Sequence, residues 1–131
     1  MLNNRVGDIA EMKFQLQAAL RGFAISKPFG GSSRYDYILD NGTRLFRVQV
    51  KSCLSRRKSR AKIAYQVTTR TSSDKPYTEK DIDVLVAYSF EADCWWIIPV
   101  SEINGRVSMV FSEVGDLVKY KNSWEFFNPD I

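Results

Sequence analysis

A chain of 131 residues, 44% apolar and 26% charged, has the length and balance of one globular domain covering 1–131, able to bury a core without disulfide or metal staples. Its net charge of +4 points toward a polyanionic partner, and the lack of any histidine excludes Ser-His-Asp and Cys-His catalysis. No apolar run approaches the ~18 residues that span a bilayer, and Met1-Leu2-Asn3-Asn4-Arg5 has no signal-peptide core, so a cytoplasmic protein without a membrane partner is expected.

Residues 6–23 read as a helix. Ile9, Met12, Leu16, Ala19, Leu20 and Phe23 make an apolar stripe at helical spacing, and Gly22 is a stop signal. A short strand is expected over 23–27, then a turn-rich loop at Pro28 and Gly30-Gly31-Ser32-Ser33. Tyr35-Asp36-Tyr37-Ile38-Leu39 is strand-like, and Asp40-Asn41-Gly42 is a hairpin turn signal. The return strand runs over 44–54, with Phe46, Val48 and Val50 on one face and Arg47, Gln49 and Lys51 on the other. A basic loop over 56–62 leads to a strand at 62–69. Residues 72–76 form a loop. Val84 to Tyr88 is almost continuously apolar, as suits a strand covered on both faces. Glu91-Ala92-Asp93 reads as a turn, Cys94–Ile98 as a strand ended by Pro99, and Val100–Ile103 as a helical turn. Residues 106–111 and 122–127 read as strand or irregular structure. The order implies a mixed α/β sheet flanked by helices, with the first helix packed on one face. Cys53 and Cys94, both in expected strands, have no CxxC spacing and read as free thiols.

One cluster carries chemistry. Gln49 lies thirteen residues after Asp36, across the turn, and Lys51 leaves the same strand face as Gln49. The hairpin can bring Asp36 beside them, with the Val50 carbonyl as a further oxygen donor. Hydrolysis of a phosphodiester needs an activated water, a sink for charge on the phosphoryl oxygens and help for the leaving oxygen. A carboxylate-held Mg²⁺ serves all three, and a lysine can orient the water and neutralise charge.

Tyr35-Asp36 followed by Gln49-Val50-Lys51-Ser52 resembles the PD-(D/E)XK nuclease signature. Glu11 in Gly7-Asp8-Ile9-Ala10-Glu11 resembles the helix glutamate that completes such sites. Within the superfamily the chain is similar, over roughly residues 5–103, to the homing endonuclease encoded by bacterial group I introns of the cyanobacterial type. That type also has a glutamine at the acidic position, and Asp81–Tyr88 and Trp95–Val100 are like its later strands. The resemblance implies a restriction-endonuclease-like core and cleavage of double-stranded DNA with Mg²⁺, for which Mn²⁺ can substitute. It also implies 5′-phosphate products and a tetramer, while cutting both strands of a duplex normally needs two active sites, so a homo-oligomer of at least a dimer is expected. Glu11, Asp36, Gln49 and Lys51 would be catalytic, with Glu11, Asp36, Gln49 and Val50 holding metal. Two departures stand out. Tyr35 replaces proline, and Gln49 brings an amide oxygen where the signature has an acid. A junction-resolvase-like nuclease and an inactive DNA-binding module therefore stay open as alternatives.

Arg56, Arg57, Lys58, Arg60 and Lys62 put five cations in seven residues without an acid. Alone the run reads as a solvated loop. Close behind the catalytic strand it reads as a DNA contact, with Arg56, Arg57 and Arg60 as base-reading candidates. Arg44, Arg47, Ser33 and Arg34, with Gly31 and Ser32, are weaker candidates. The tail residues Trp124, Phe126 and Phe127 suit either a subunit interface or the core.

Overall fold

Helix α1 (Asn3–Leu20) forms over a stretch with no proline and no run of β-branched residues. Its end is set by Gly22 at φ 86°, where Phe23 N–H donates to Ala18 O and Gly22 N–H to Ala19 O, a Schellman closure that needs a left-handed residue. These features come from a computed structural model, which describes residues 3–31, 33–59 and 62–128. Eight strands follow: β1 (Ala24–Ser26), β2 (Tyr37–Asp40), β3 (Leu45–Ser52), β4 (Leu54–Ser59), β5 (Lys62–Thr68), β6 (Val84–Ser89), β7 (Cys94–Pro99) and β8 (Ser108–Phe111). Single 3₁₀ turns occupy Val100–Glu102, Asp116–Tyr120 and Trp124–Phe127.

The strands form two sheets. The larger has the order β1-β2-β3-β6-β7, antiparallel except where β3 runs parallel to β6, and the smaller has the order β4-β5-β8. One face of the large sheet presents Val48, Val50, Val84, Val86, Trp95 and Ile97 to α1 and to the tail. Phe14 is the hub there, with ring centroids 5.8 Å from Tyr37 and from Trp124 and 6.2 Å from Trp95. The other face presents Leu85, Ala87, Trp96 and Ile98 to Tyr65, Val67, Met109 and Phe111 of the small sheet. Trp96 stacks on Phe111 at 4.9 Å. Strand β6 is buried at all six positions because both its faces are covered, as its unbroken apolar run implies.

Several expectations need correction. The stripe Ile9, Met12, Leu16, Ala19 and Leu20 is not the packing face of α1. Ala10, Phe14 and Ala18 are fully buried instead, while Met12, Leu16 and Leu20 are 59%, 58% and 72% exposed. Two small alanines flanking one phenylalanine let the helix axis approach the sheet, and the large ring fills the space between. The strand expected over 44–54 breaks at Cys53, which lies between strands, and β4 continues in the second sheet. The basic run is not a loop. Its described part lies in an antiparallel β4–β5 pair, with Arg56 opposite Ala64, Arg57 opposite Ile63 and Ser59 opposite Lys62. The tail is core: Trp124 and Phe127 are buried against Phe14, and the segment is 3₁₀ rather than strand. Among the described residues no helix is long and apolar enough to cross a membrane.

Candidate active site

The site forms where β2 stops pairing with β3. The last β2–β3 pair at that end is Tyr37 with Val48, so β3 runs on past its neighbour. The exposed edge is closed by a side chain: Val50 N–H donates to Asp36 Oδ2 at 2.8 Å, and Asp36 N–H donates to Val48 O at 2.8 Å. In a strand a residue's N–H and C=O leave the same edge, so the Val50 carbonyl is directed toward the side that holds Asp36. Asp36 is pinned on both flanks. Tyr37 packs into the helix-side core and Tyr35 against the core between the sheets. A tyrosine in place of the signature proline is thus an anchor here.

Asp36, Gln49 and Lys51 line one cleft of about 530 Å³, together with Arg34, Arg70 and Tyr77. Glu11 approaches from the helix side. It accepts a hydrogen bond from the Tyr37 hydroxyl at 3.3 Å, and that hydroxyl accepts one from Gln15 Nε2 at 2.7 Å. Lys27 Nζ stands 3.9 Å from Glu11 Oε1. Burial and the Asp36 charge raise the Glu11 pKa above its ordinary value, despite Lys27. Burial also raises Asp36, against the Val50 N–H and the Lys51 and Lys27 charges, which lower it. Burial pushes Tyr37 up to about 12, keeping it a hydroxyl donor. Lys51 is lowered by burial and further by Arg70, while Asp36 acts to raise it. Its ammonium lies 5.8 Å from the Tyr77 ring.

Two partly buried carboxylates, of which Asp36 raises the pKa of Glu11, an amide oxygen from Gln49 and a backbone carbonyl are hard oxygen donors, and they fit a small divalent cation. Among the described residues no three acids, cysteines or histidines converge on one point. The groups that could hold such an ion are Asp36 and Glu11, with neutral oxygens from Gln49 and Val50.

The expected site residues thus divide. Asp36, Gln49 and Lys51 share the cleft, and Glu11 is coupled to it through Asp36 and Tyr37. Arg34 lines the cleft and pairs with Asp81 at 3.5 Å, and Ser33 lines it as well. Arg56, Arg57, Lys58 and Lys62 occupy positions in β4 and β5. Arg60 and Ser32 lie outside the described residues. Arg44 lies over the Phe46 ring at 4.4 Å. Arg47 is committed to the fold. Its guanidinium donates to Asp83 and to the carbonyls of Glu79 and Lys80 at 2.6–3.3 Å. Sequence reasoning missed Lys27, Tyr37, Arg70 and Tyr77 as site residues. Alternation after Asp36 could have placed Tyr37 toward the helix. Arg70 and Tyr77 reach the cleft from the far side of a loop, which no spacing rule signals.

A larger depression, about 910 Å³, is lined by Arg21, Asn41, Asp93, Trp95 and Trp124 and contains none of the carboxylate–lysine cluster. Chemistry outranks volume, so the smaller cleft is the candidate.

The sequence matches the PD-(D/E)XK endonuclease family model over residues 1–127. The structure is similar to that of a bacterial homing endonuclease, I-Ssp6803I, with a TM-score of 0.81 and 26% identity, covering 96% of this chain and 93% of that one. No curated protein matches the sequence.

Proposed function

The chain belongs to the PD-(D/E)XK endonuclease family, and from that premise we propose that it is a metal-dependent, site-specific endonuclease that hydrolyses double-stranded DNA as a homo-oligomer, using Mg²⁺ with Mn²⁺ as a substitute. The observation that carries this reading is the cleft in which Asp36, Gln49 and Lys51 meet, with Glu11 coupled to Asp36 from the helix side. Likeness to a homing endonuclease along nearly the whole chain supports DNA as substrate and a defined target site.

Asp36 and Glu11 would hold the ion, helped by the Gln49 amide and the Val50 carbonyl. When bound, the ion lowers the pKa of a water and withdraws charge from the phosphoryl oxygens. Lys51 orients that water and offsets charge as the phosphorus–oxygen bond to the attacking water forms. The bond from phosphorus to the 3′ oxygen would break as the attacking water gives up a proton to solvent and the leaving oxygen takes one up, leaving a 3′-hydroxyl and a 5′-phosphate. Tyr37 fixes Glu11 through its hydroxyl. Arg70, at the mouth beside Lys51, is suited to a substrate phosphate. Ser33 and Arg34 at the cleft would contact the backbone of the DNA. Arg56, Arg57, Lys58, Arg60 and Lys62 of the β4–β5 segment would hold the duplex, and a two-stranded ribbon fits the major groove. Arg44 is a peripheral contact, and Arg47 is left to its structural clamp.

The test is cleavage of supercoiled plasmid and duplex libraries with Mg²⁺ or Mn²⁺, comparing wild type with Asp36→Ala and Lys51→Ala. Recurrent sites cut by wild type and by neither variant are expected. Cutting of four-way junctions alone would replace site specificity with structure selectivity. DNA binding with no cutting of either substrate would make the chain a binding module in which Gln49 marks a lost metal site.

A further inference from the structure

Helix α1 is apolar on two opposite faces. The inner one, Ala10, Phe14 and Ala18, is consumed by the core. The outer one, about half a turn away around the helix, consists of Ile9, Met12, Leu16 and Ala19, flanked by Leu20. Met12, Leu16 and Leu20 are each more than half exposed. A contiguous apolar stripe on a folded surface, rimmed by charge, marks a docking site.

The spacing identifies the occupant. Ile9, Met12, Leu16 and Ala19 follow one another at intervals of three, four and three residues, the a and d positions of two heptads. On that register Asp8 is a g position and Lys13 the following e position, five residues later. In a parallel pair of identical helices, each g residue faces the e residue of the next heptad on its partner, so Asp8 of each copy meets Lys13 of the other. An antiparallel pair would set Asp8 flank against Asp8 flank and lose this match. Neither residue is used inside the protein by an ion pair among the described residues. Lys13 Nζ stands 5.3 Å from the Tyr88 ring, which holds it on that flank of the helix. Arg5, at the preceding d position, ends the seam on its N-terminal side.

We infer that the outer face of α1 binds a second copy of this chain, the two helices running parallel about a two-fold axis with reciprocal Asp8–Lys13 pairs. A pair of this kind would also carry two active sites. The inference gives the proposed homo-oligomer its surface, and it is tested without DNA or metal. Its failure therefore leaves the nuclease reading standing, and the reverse also holds.

The test is analytical ultracentrifugation of the full chain at micromolar concentration. Wild type should sediment as a dimer, or as a tetramer if a second contact exists. Leu16→Glu should take dimer to monomer, or tetramer to dimer, raising the dissociation constant about a hundredfold or more, because two buried leucines are lost per contact. Leu16 is exposed in the single chain, so the variant's far-ultraviolet circular dichroism should match wild type. If Leu16→Glu does not fold, the charge variants decide. Asp8→Lys and Lys13→Asp should each weaken association, and the double variant should restore it. A monomeric wild type, or association indifferent to Leu16→Glu, would overturn the proposal. Failure of the double variant to restore association would overturn the parallel arrangement.

Discussion

Asp36 has two duties that substitution can separate. Its carboxylate closes the free edge of β3 by accepting the Val50 N–H, and it is the principal acid of the proposed metal site. Asp36→Asn keeps an oxygen acceptor for that N–H and removes the charge, whereas Asp36→Ala removes both. Both variants forfeit the Lys51 attraction and relieve Glu11 equally, so those effects cancel in the comparison. What remains is the cost of leaving the N–H of Val50, a residue only 6% exposed, without a partner. An unmade bond to a buried donor costs about 1–3 kcal/mol. Asp36→Ala should therefore melt about 4–11 °C below Asp36→Asn. Cleavage should be lost in both. Thermal denaturation by circular dichroism gives the first number, and plasmid cleavage with Mn²⁺ gives the second. Equal melting of the two variants would refute the edge-closing role, and full cleavage by Asp36→Asn would refute the metal-binding role.

Other substitutions probe other parts of the argument. Gln49→Glu should lower the Mn²⁺ concentration for half-maximal cleavage by about tenfold, since it adds a charged ligand to a site that now has two; a metal titration of cleavage rate reads this. Converting Arg56, Arg57 and Arg60 to alanine should flatten the log–log salt dependence of DNA binding by up to about 3, near 0.9 for each lost phosphate contact, as measured by fluorescence anisotropy across salt. Phe14→Ala should cost about 3–5 kcal/mol in urea unfolding, whereas Phe29→Ala, at a fully exposed position, should cost little. Asp83 provides a pH test. Burial acts to raise its pKa, but the Arg47 hydrogen bonds and charge outweigh burial and set it below the ordinary 3.8. A depressed carboxylate stabilises the fold above its unfolded pKa, and that stability is lost as pH falls through the folded value. Asp83→Asn should thus be less stable than wild type at neutral pH, with the gap closing only below about pH 4, a trend that denaturation at a series of pH values resolves.

Much of the site was readable because its signals are local. Asp36, the Asp40-Asn41-Gly42 turn and the Gln49/Lys51 alternation lie within one hairpin, where register and turn chemistry dictate geometry. The turn forms as its residues imply. Asn41 Oδ1 accepts the Thr43 and Arg44 N–H groups, and Gly42 takes φ 97°. The face of α1 was not readable, because periodicity reports that a stripe exists and not which of two stripes meets the sheet. Alanines contribute little to an apolar tally, yet their small size decided the approach. The second sheet was hidden for a related reason. Arg56, Arg57 and Lys58 obscure any strand alternation in β4, and pairing with β5 and β8 is a long-range fact. Tyr77 and Arg70, flanking the loop that follows β5, are brought to the cleft by placement that is equally long-range.

The single residue between β3 and β4 has a metric consequence. Cys53 is all that separates the strand bearing Lys51 from the strand bearing Arg56, and its N–H is tied to Tyr88 O at 2.8 Å. With so short and fastened a joint, β3 and β4 act as a measuring rod rather than a tether. Five residues at about 3.3 Å each set Lys51 and Arg56 at most about 17 Å apart. On duplex DNA, rising about 3.4 Å per base pair, that is at most five steps. In the proposed complex the bases met by the start of the basic ribbon would therefore lie within a bounded count of the phosphate being cut, and lengthening the joint by inserted residues would raise that bound without touching either end.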